Sequence, residues 1–154
     1  MFTDASWHAE LLQEVRGASE VLACTMAYDD PSLQQVFLSR LRNRNAFELD
    51  LLVDNQYASE GTSRHMRPRL AELARAGAHV WLASGHDHTQ IFGTGGRGMR
   101  GALHAKAVVL DRSVMYMGSA NLTRNSLTNR ELVIRTRGPQ VRKQCRIALF
   151  IFKL

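Results

Sequence analysis

The chain has 154 residues, 45% hydrophobic and 22% charged, with a net charge of +6. That length and balance suit one ordinary domain over residues 1–154 with a core of its own, and exclude extended disorder. No apolar run approaches the roughly 20 residues of a membrane span and no secretory leader is visible, so a soluble, cytoplasmic protein is expected.

Asp4 or Ser6 can cap a first helix that runs to about Arg16. Val21 to Met26 reads as a short buried strand. Asp30-Pro31 opens a second helix, with an acid at the N-cap, Pro at the first helical position, and Leu33, Val36, Phe37 and Leu41 at helical spacing. Phe47 to Val53 reads as the next strand, ended by Asp54-Asn55. A third helix is expected from about Ser63 to Ala76, with Leu70, Leu73 and Ala74 on its apolar face and Gly77 as a left-handed C-cap. His79 to Ala83 is a third strand. This alternation predicts an α/β protein, an α/β/α sandwich around a mixed, largely parallel sheet.

The second half changes character. Five glycines fall within residues 93–101. Leu103 to Leu110 and Val114 to Met117 then read as strands joined by Asp111-Arg112-Ser113, and Glu131 to Thr136 as one more. The two cysteines, Cys24 and Cys145, make no disulfide framework and read as buried thiols in a reducing compartment.

Chemistry concentrates after the glycines. His104 and Lys106 stand two apart in a strand, so both side chains face one way. Asp111 follows, then Gly118-Ser119-Ala120-Asn121, with Asn129 and Glu131 closing the segment. A hydrolase that opens a phosphodiester without a metal needs a nucleophile or base near neutral pH, a cation and neutral donors. His104 can attack or carry a proton. Lys106 can neutralise phosphate charge, and Ser119 and Asn121 can donate to phosphate oxygens. Glu131 can hold one imidazole nitrogen and leave the other free.

The run His104-x-Lys106-x4-Asp111-x6-Gly118-Ser119-x-Asn121 resembles the HKD motif of the phospholipase D superfamily. With one motif in a short chain, the sequence is similar to the small bacterial endonucleases and to the mitochondrial cardiolipin hydrolase or piRNA-nuclease branch. The resemblance implies an α/β/α sandwich in which two motifs meet at a two-fold axis. One His forms a phosphohistidine, and the other protonates the leaving group and then activates water. His104 would take both roles in two copies of a homodimer. Lys106 and Asn121 would bind phosphate, Glu131 would orient His104, and Asp111 and Ser119 would support the site. No cofactor and no metal are implied.

Other features have plainer readings. The glycine-rich stretch lacks the Gly-Lys-Ser/Thr ending of a P-loop and reads as a loop at the site mouth, with Arg97 and Arg100 able to touch substrate. His86-Asp87-His88 has no further ligand to complete a metal set and reads as solvated. Arg135, Arg137, Arg142, Lys143 and Arg146 read as a solvated basic face with some capacity for an anionic polymer. The apolar tail from Ile147 to Phe152 is too short to span a membrane and reads as core or dimer contact.

Of 20 basic residues 17 are Arg, which favours forked contacts with phosphate and hence anionic partners. The expected function is that of a phosphodiesterase acting as a nuclease on single-stranded DNA or RNA. The alternatives are a phospholipase D-type hydrolase of cardiolipin or another anionic phospholipid, active in lipid degradation, and a catalytically silent nucleic-acid-binding module.

Overall fold

A computed structural model describes residues 6–43, 46–55, 65–83 and 104–141. In chain order the elements are helix α1 (Ser6–Gly17), strand β1 (Glu20–Thr25), helix α2 (Pro31–Arg42), strand β2 (Glu48–Asp54), helix α3 (Met66–Arg75), strands β3 (His79–Ala83), β4 (Ala107–Leu110) and β5 (Val114–Gly118), a short 3-10 turn (Asn125–Leu127), and strand β6 (Val133–Arg137). Asp4, Ser63, Arg97, Arg100, the glycine-rich stretch, His86, His88, Leu103, Arg142, Lys143, Cys145, Arg146 and the apolar tail lie outside the described residues.

The strands form one sheet of order β3-β2-β1-β4-β5-β6. Parallel pairing joins β1, β2 and β3, each linked through a helix. From β4 onward the pairing is antiparallel, including β4 on β1. The mixed α/β sheet is as expected, and its parallel part is the helix-connected half, because only a helical crossover returns the chain to pair in parallel.

One face carries the main core. Leu11 and Val15 of α1, Leu33 and Phe37 of α2 and Leu73 of α3 are fully buried there against Val21, Ala23, Leu51 and Val53. Burying a side chain the size of Phe37 contributes about 2–3 kcal/mol. Leu22, Val109 and Met115 on the other face pack with Val141, within the helical residues 139–141.

Local chemistry sets the ends of the elements. Asp30 caps α2, its Oδ1 accepting from Ser32 N at 2.8 Å and Leu33 N at 3.1 Å, and Pro31 follows at the first helical position. The other Asp30 oxygen takes His8 Nε2 at 2.5 Å, which pins α1 to the start of α2. Gly77 closes α3 with φ +109°, where a side chain would be strained.

Two strands begin later than their residues suggest. The stretch expected from Leu103 enters the ladder only at Ala107, where its pairing with β1 and β5 starts at Cys24↔Ala107 and Ala107↔Met117. The last strand begins at Val133 rather than Glu131, since Gly118↔Val133 is its final pair with β5.

Candidate active site

The sheet has two very different edges. At one, β1 ends at Thr25, and the antiparallel strands bring the start of β4, the end of β5 and the start of β6 alongside. This edge holds His104, Lys106, Ser119, Asn121 and Glu131. It is the carboxyl end of β1, where the chain turns to β2 on one side and β4 on the other, the usual place for a ligand in an open α/β sheet.

His104 is exposed on the extended approach to β4. Lys106 is partly buried, and its Nζ donates to the His104 carbonyl at 2.7 Å, so the two functional groups share one stretch of backbone. Burial, the largest influence, draws the Lys106 ammonium below the usual lysine value, against the opposing pull of Cys24 and Glu131. Burial also raises the Cys24 thiol to about 11, so beside Lys106 it stays a neutral thiol at physiological pH.

Ser119 Oγ donates to Glu131 Oε2 at 2.5 Å and accepts from Leu132 N at 3.0 Å. Glu131 is therefore in the group, with its hydrogen bond to Ser119 rather than to His104. The backbones at 118 and 132 nearly touch: a Cβ on Gly118 would lie 1.9 Å from Leu132 O. Only glycine fits before Ser119, which gives the Gly-Ser-x-Asn run a steric reason.

Asn121 is held by a residue that no motif marks. Thr25 Oγ1, fully buried at the end of β1, donates to Ala27 O at 2.9 Å and lies 3.3 Å from Asn121 Oδ1, one hydroxyl proton shared between two acceptors. It accepts from Leu122 N at 3.2 Å. The Asn121 amide nitrogen is left to donate into the site. The signal for Thr25 was its place as the last residue of the first strand.

Asp111 is not brought to this group. It sits at the far end of β4, five residues from Lys106 and so about 16 Å away at ~3.3 Å per residue. Its Oδ1 accepts from Ser19 N at 2.8 Å and Glu20 N at 2.9 Å, tying the β4–β5 turn to the start of β1. The carboxylate is thus occupied in holding the fold, so the support expected of it goes to the turn and not to the reacting groups.

The basic face is corrected in part. Arg135 forks onto Glu14 and also reaches Glu10 at 3.1 Å, while Arg137 meets Glu14 at 3.3 Å. Burial works to raise the Glu14 carboxyl, but bonds from Arg135 and Tyr116 outweigh it and hold it below the ordinary value. These two arginines fasten β6 to α1.

A polar cavity of about 300 Å³ opens beside Asn121 and Glu131. Its wall includes Asn129, which the motif region marks, and Asp29, His65 and Asn125, which it does not.

The model of the family described as cardiolipin synthase, PLD-like domain, matches residues 11–149. The chain belongs to this phospholipase D-like family. It is thereby a member of the phospholipase D superfamily. No curated protein matches the sequence closely enough to count as a relative. Among solved structures the fold is similar to NucT from Helicobacter pylori, with a TM-score of 0.76 and 14% identity over 92% of this chain and 83% of that one. It is also similar to Nuc from Salmonella typhimurium, described as a phospholipase D family member, with a TM-score of 0.67 and 14% identity over 92% and 82% of the two chains. A polyphosphate kinase from Porphyromonas gingivalis matches at a TM-score of 0.63 and 12% identity over 96% of this chain and 24% of its own. No helix among the described residues is long and apolar enough to cross a membrane.

Proposed function

We propose that the protein is a metal-independent nuclease that hydrolyses single-stranded DNA or RNA through a phosphohistidine on His104. The observation that carries this reading is the gathering of an exposed imidazole, a partly buried ammonium and the Ser119 and Asn121 donors at one sheet edge. A His104 nitrogen attacks phosphorus, and the P–N bond forms as the bond to the leaving oxygen breaks. The leaving oxygen takes its proton from His104 of a second copy. That second imidazole then removes a proton from water, which attacks the phosphohistidine and releases the product with His104 restored. Lys106 from each copy offsets the phosphoryl charge, and Asn121 donates to its oxygens. Glu131 acts through Ser119, and its negative charge favours the protonated form of Lys106.

The mechanism needs two imidazoles and the motif supplies one, so the active species is a closed two-fold homodimer. Met117, Leu132 and Ile134 favour such a pairing. They lie beside the site and are 44%, 45% and 39% exposed, a large apolar surface for a water-facing edge.

Cleavage of a lipid phosphodiester such as cardiolipin is the second reading, favoured by the description of the matching family. Assaying the purified protein on labelled single-stranded DNA, RNA and anionic vesicles side by side separates the two. The nuclease reading expects turnover of oligonucleotides, undiminished by excess EDTA and weakened by salt, because the release of condensed counterions on binding gains less as salt rises. Turnover of vesicles alone, or full activity in a strictly monomeric protein, would overturn it.

A further inference from the structure

The cavity beside Asn121 and Glu131 has a chemistry unlike that of the phosphate-binding group. Asn121, Asn125, Asn129 and Thr123 offer neutral donors and acceptors on its wall, Asp29 and Glu131 offer carboxylates, and no Lys or Arg is among the described residues that line it. Among the described residues of the wall an anion would meet two carboxylates and no Lys or Arg. The phosphate therefore belongs at Lys106, and the cavity suits the uncharged, hydrogen-bonding part of the same substrate. Its volume of about 300 Å³ is at the lower end of small-ligand sites.

Several of these groups are not needed by the fold. His65 stands at the N-cap of α3, yet its ring makes no capping hydrogen bond. The turn at 123–129 closes through the Asn125 carbonyl, which accepts from Thr128 N and Asn129 N, and through the Thr123–Ser126 hydroxyl pair, so the Asn125 carboxamide remains for a ligand. Asp29 spends one oxygen on Arg124 N at 2.7 Å and keeps the other. Met26 and Met66 add polarizable surface to the wall, and an imidazole at the rim can stack on a flat ring. An acyl chain placed here would cover amides and carboxylates without offering them a hydrogen-bond partner.

We propose that this cavity holds the nucleobase adjoining the scissile phosphate, with His65 stacking on it and Asn125, Asn129 and Asp29 reading its edge. The carboxylate favours bases that carry an exocyclic amine, adenine and cytosine. The proposal rests on the nuclease reading above.

The test is a binding titration of the full chain with adenosine and cytidine monophosphates against ribose 5-phosphate, repeated in His65→Ala and Asn125→Ala, with oligonucleotide cleavage measured alongside. Ribose 5-phosphate binding by both variants reports a folded phosphate site. The nucleotides should bind wild type about tenfold or more tighter than ribose 5-phosphate. That gap should shrink to about threefold or less in each variant, with a flatter ranking of bases at the cleaved position. If the gap is absent from wild type, or survives in both variants, while oligonucleotides are still cleaved, the base subsite is wrong and the nuclease reading stands. If vesicles are cleaved and oligonucleotides are not, the nuclease reading fails and the subsite with it.

Discussion

The two edges of the sheet are built from the same strands and use their polar residues in opposite ways. At the edge where β1 begins, one Asp111 oxygen takes two backbone amides, and Arg112 forks onto Glu20 at 2.7 and 2.8 Å. The turn there holds Asp111 and Arg112 at φ +49° and +53°, and Ser113 N closes it on the Leu110 carbonyl at 3.0 Å. At the edge where β1 ends, an imidazole stays exposed, an ammonium is partly dehydrated and a carboxamide is anchored by one end only. A polar residue whose bonds are all spent inside the protein holds the fold. One whose orientation is fixed while its reactive atom stays open is equipped to act on a ligand.

Substitutions at the two edges should therefore separate turnover from stability. The largest effect is expected for His104→Asn, which removes nucleophile and proton carrier together. Turnover of a phosphodiester should fall on the order of 10⁴-fold or more, with the thermal unfolding midpoint unchanged. Lys106→Ala comes next. Loss of a preorganised cation should lower kcat by about 10²- to 10³-fold. The same residue sets a pH limit. Burial lowers its folded pKa, so the charge that aids catalysis is lost as pH rises, and the alkaline limb of kcat/KM should break below the ordinary lysine value of about 10.4.

Thr25→Val preserves shape and removes the hydroxyl that anchors Asn121. We expect about a tenfold fall in kcat with KM little changed, together with a modest loss of stability because Leu122 N loses its acceptor. A KM that rises while kcat holds would mean that Thr25 does not act through Asn121. Asp111→Ala should give the reverse signature and the smallest change in rate. Two amides lose their acceptor and unfolding free energy drops by about 1–3 kcal/mol, while turnover per folded molecule stays within about twofold. A catalytic defect there that exceeds the stability defect would erase the distinction between the edges.

Most of the fold was legible because it rests on local signals. Asp30-Pro31 announces α2, and Gly77 closes α3. His79 to Ala83 is bounded as its residues predict. The site was legible where reactive residues fall close in sequence, as His104, Lys106, Ser119 and Asn121 do. Position along a strand was the part that spacing concealed: Asp111 lies only five residues from Lys106, yet β4 runs straight between them and carries it to the opposite edge. Arg135 and Arg137 looked like a free basic face because their acidic partner, Glu14, is 121 and 123 residues away in sequence. Thr25, Asp29 and His65 carry no motif and reach the site only once β1, α3 and the 123–129 turn come together.

The central claim is the covalent step at His104. It is tested most directly by mixing the protein with a single-stranded oligonucleotide labelled next to the scissile phosphate, in EDTA, and quenching in alkali within one turnover. Phosphohistidine is a phosphoramidate, so the account predicts label attached to the chain, stable to base, released by mild acid, mapping to His104 and absent from His104→Asn. Cleavage in a single turnover with no attached label, retained by His104→Asn, would contradict it.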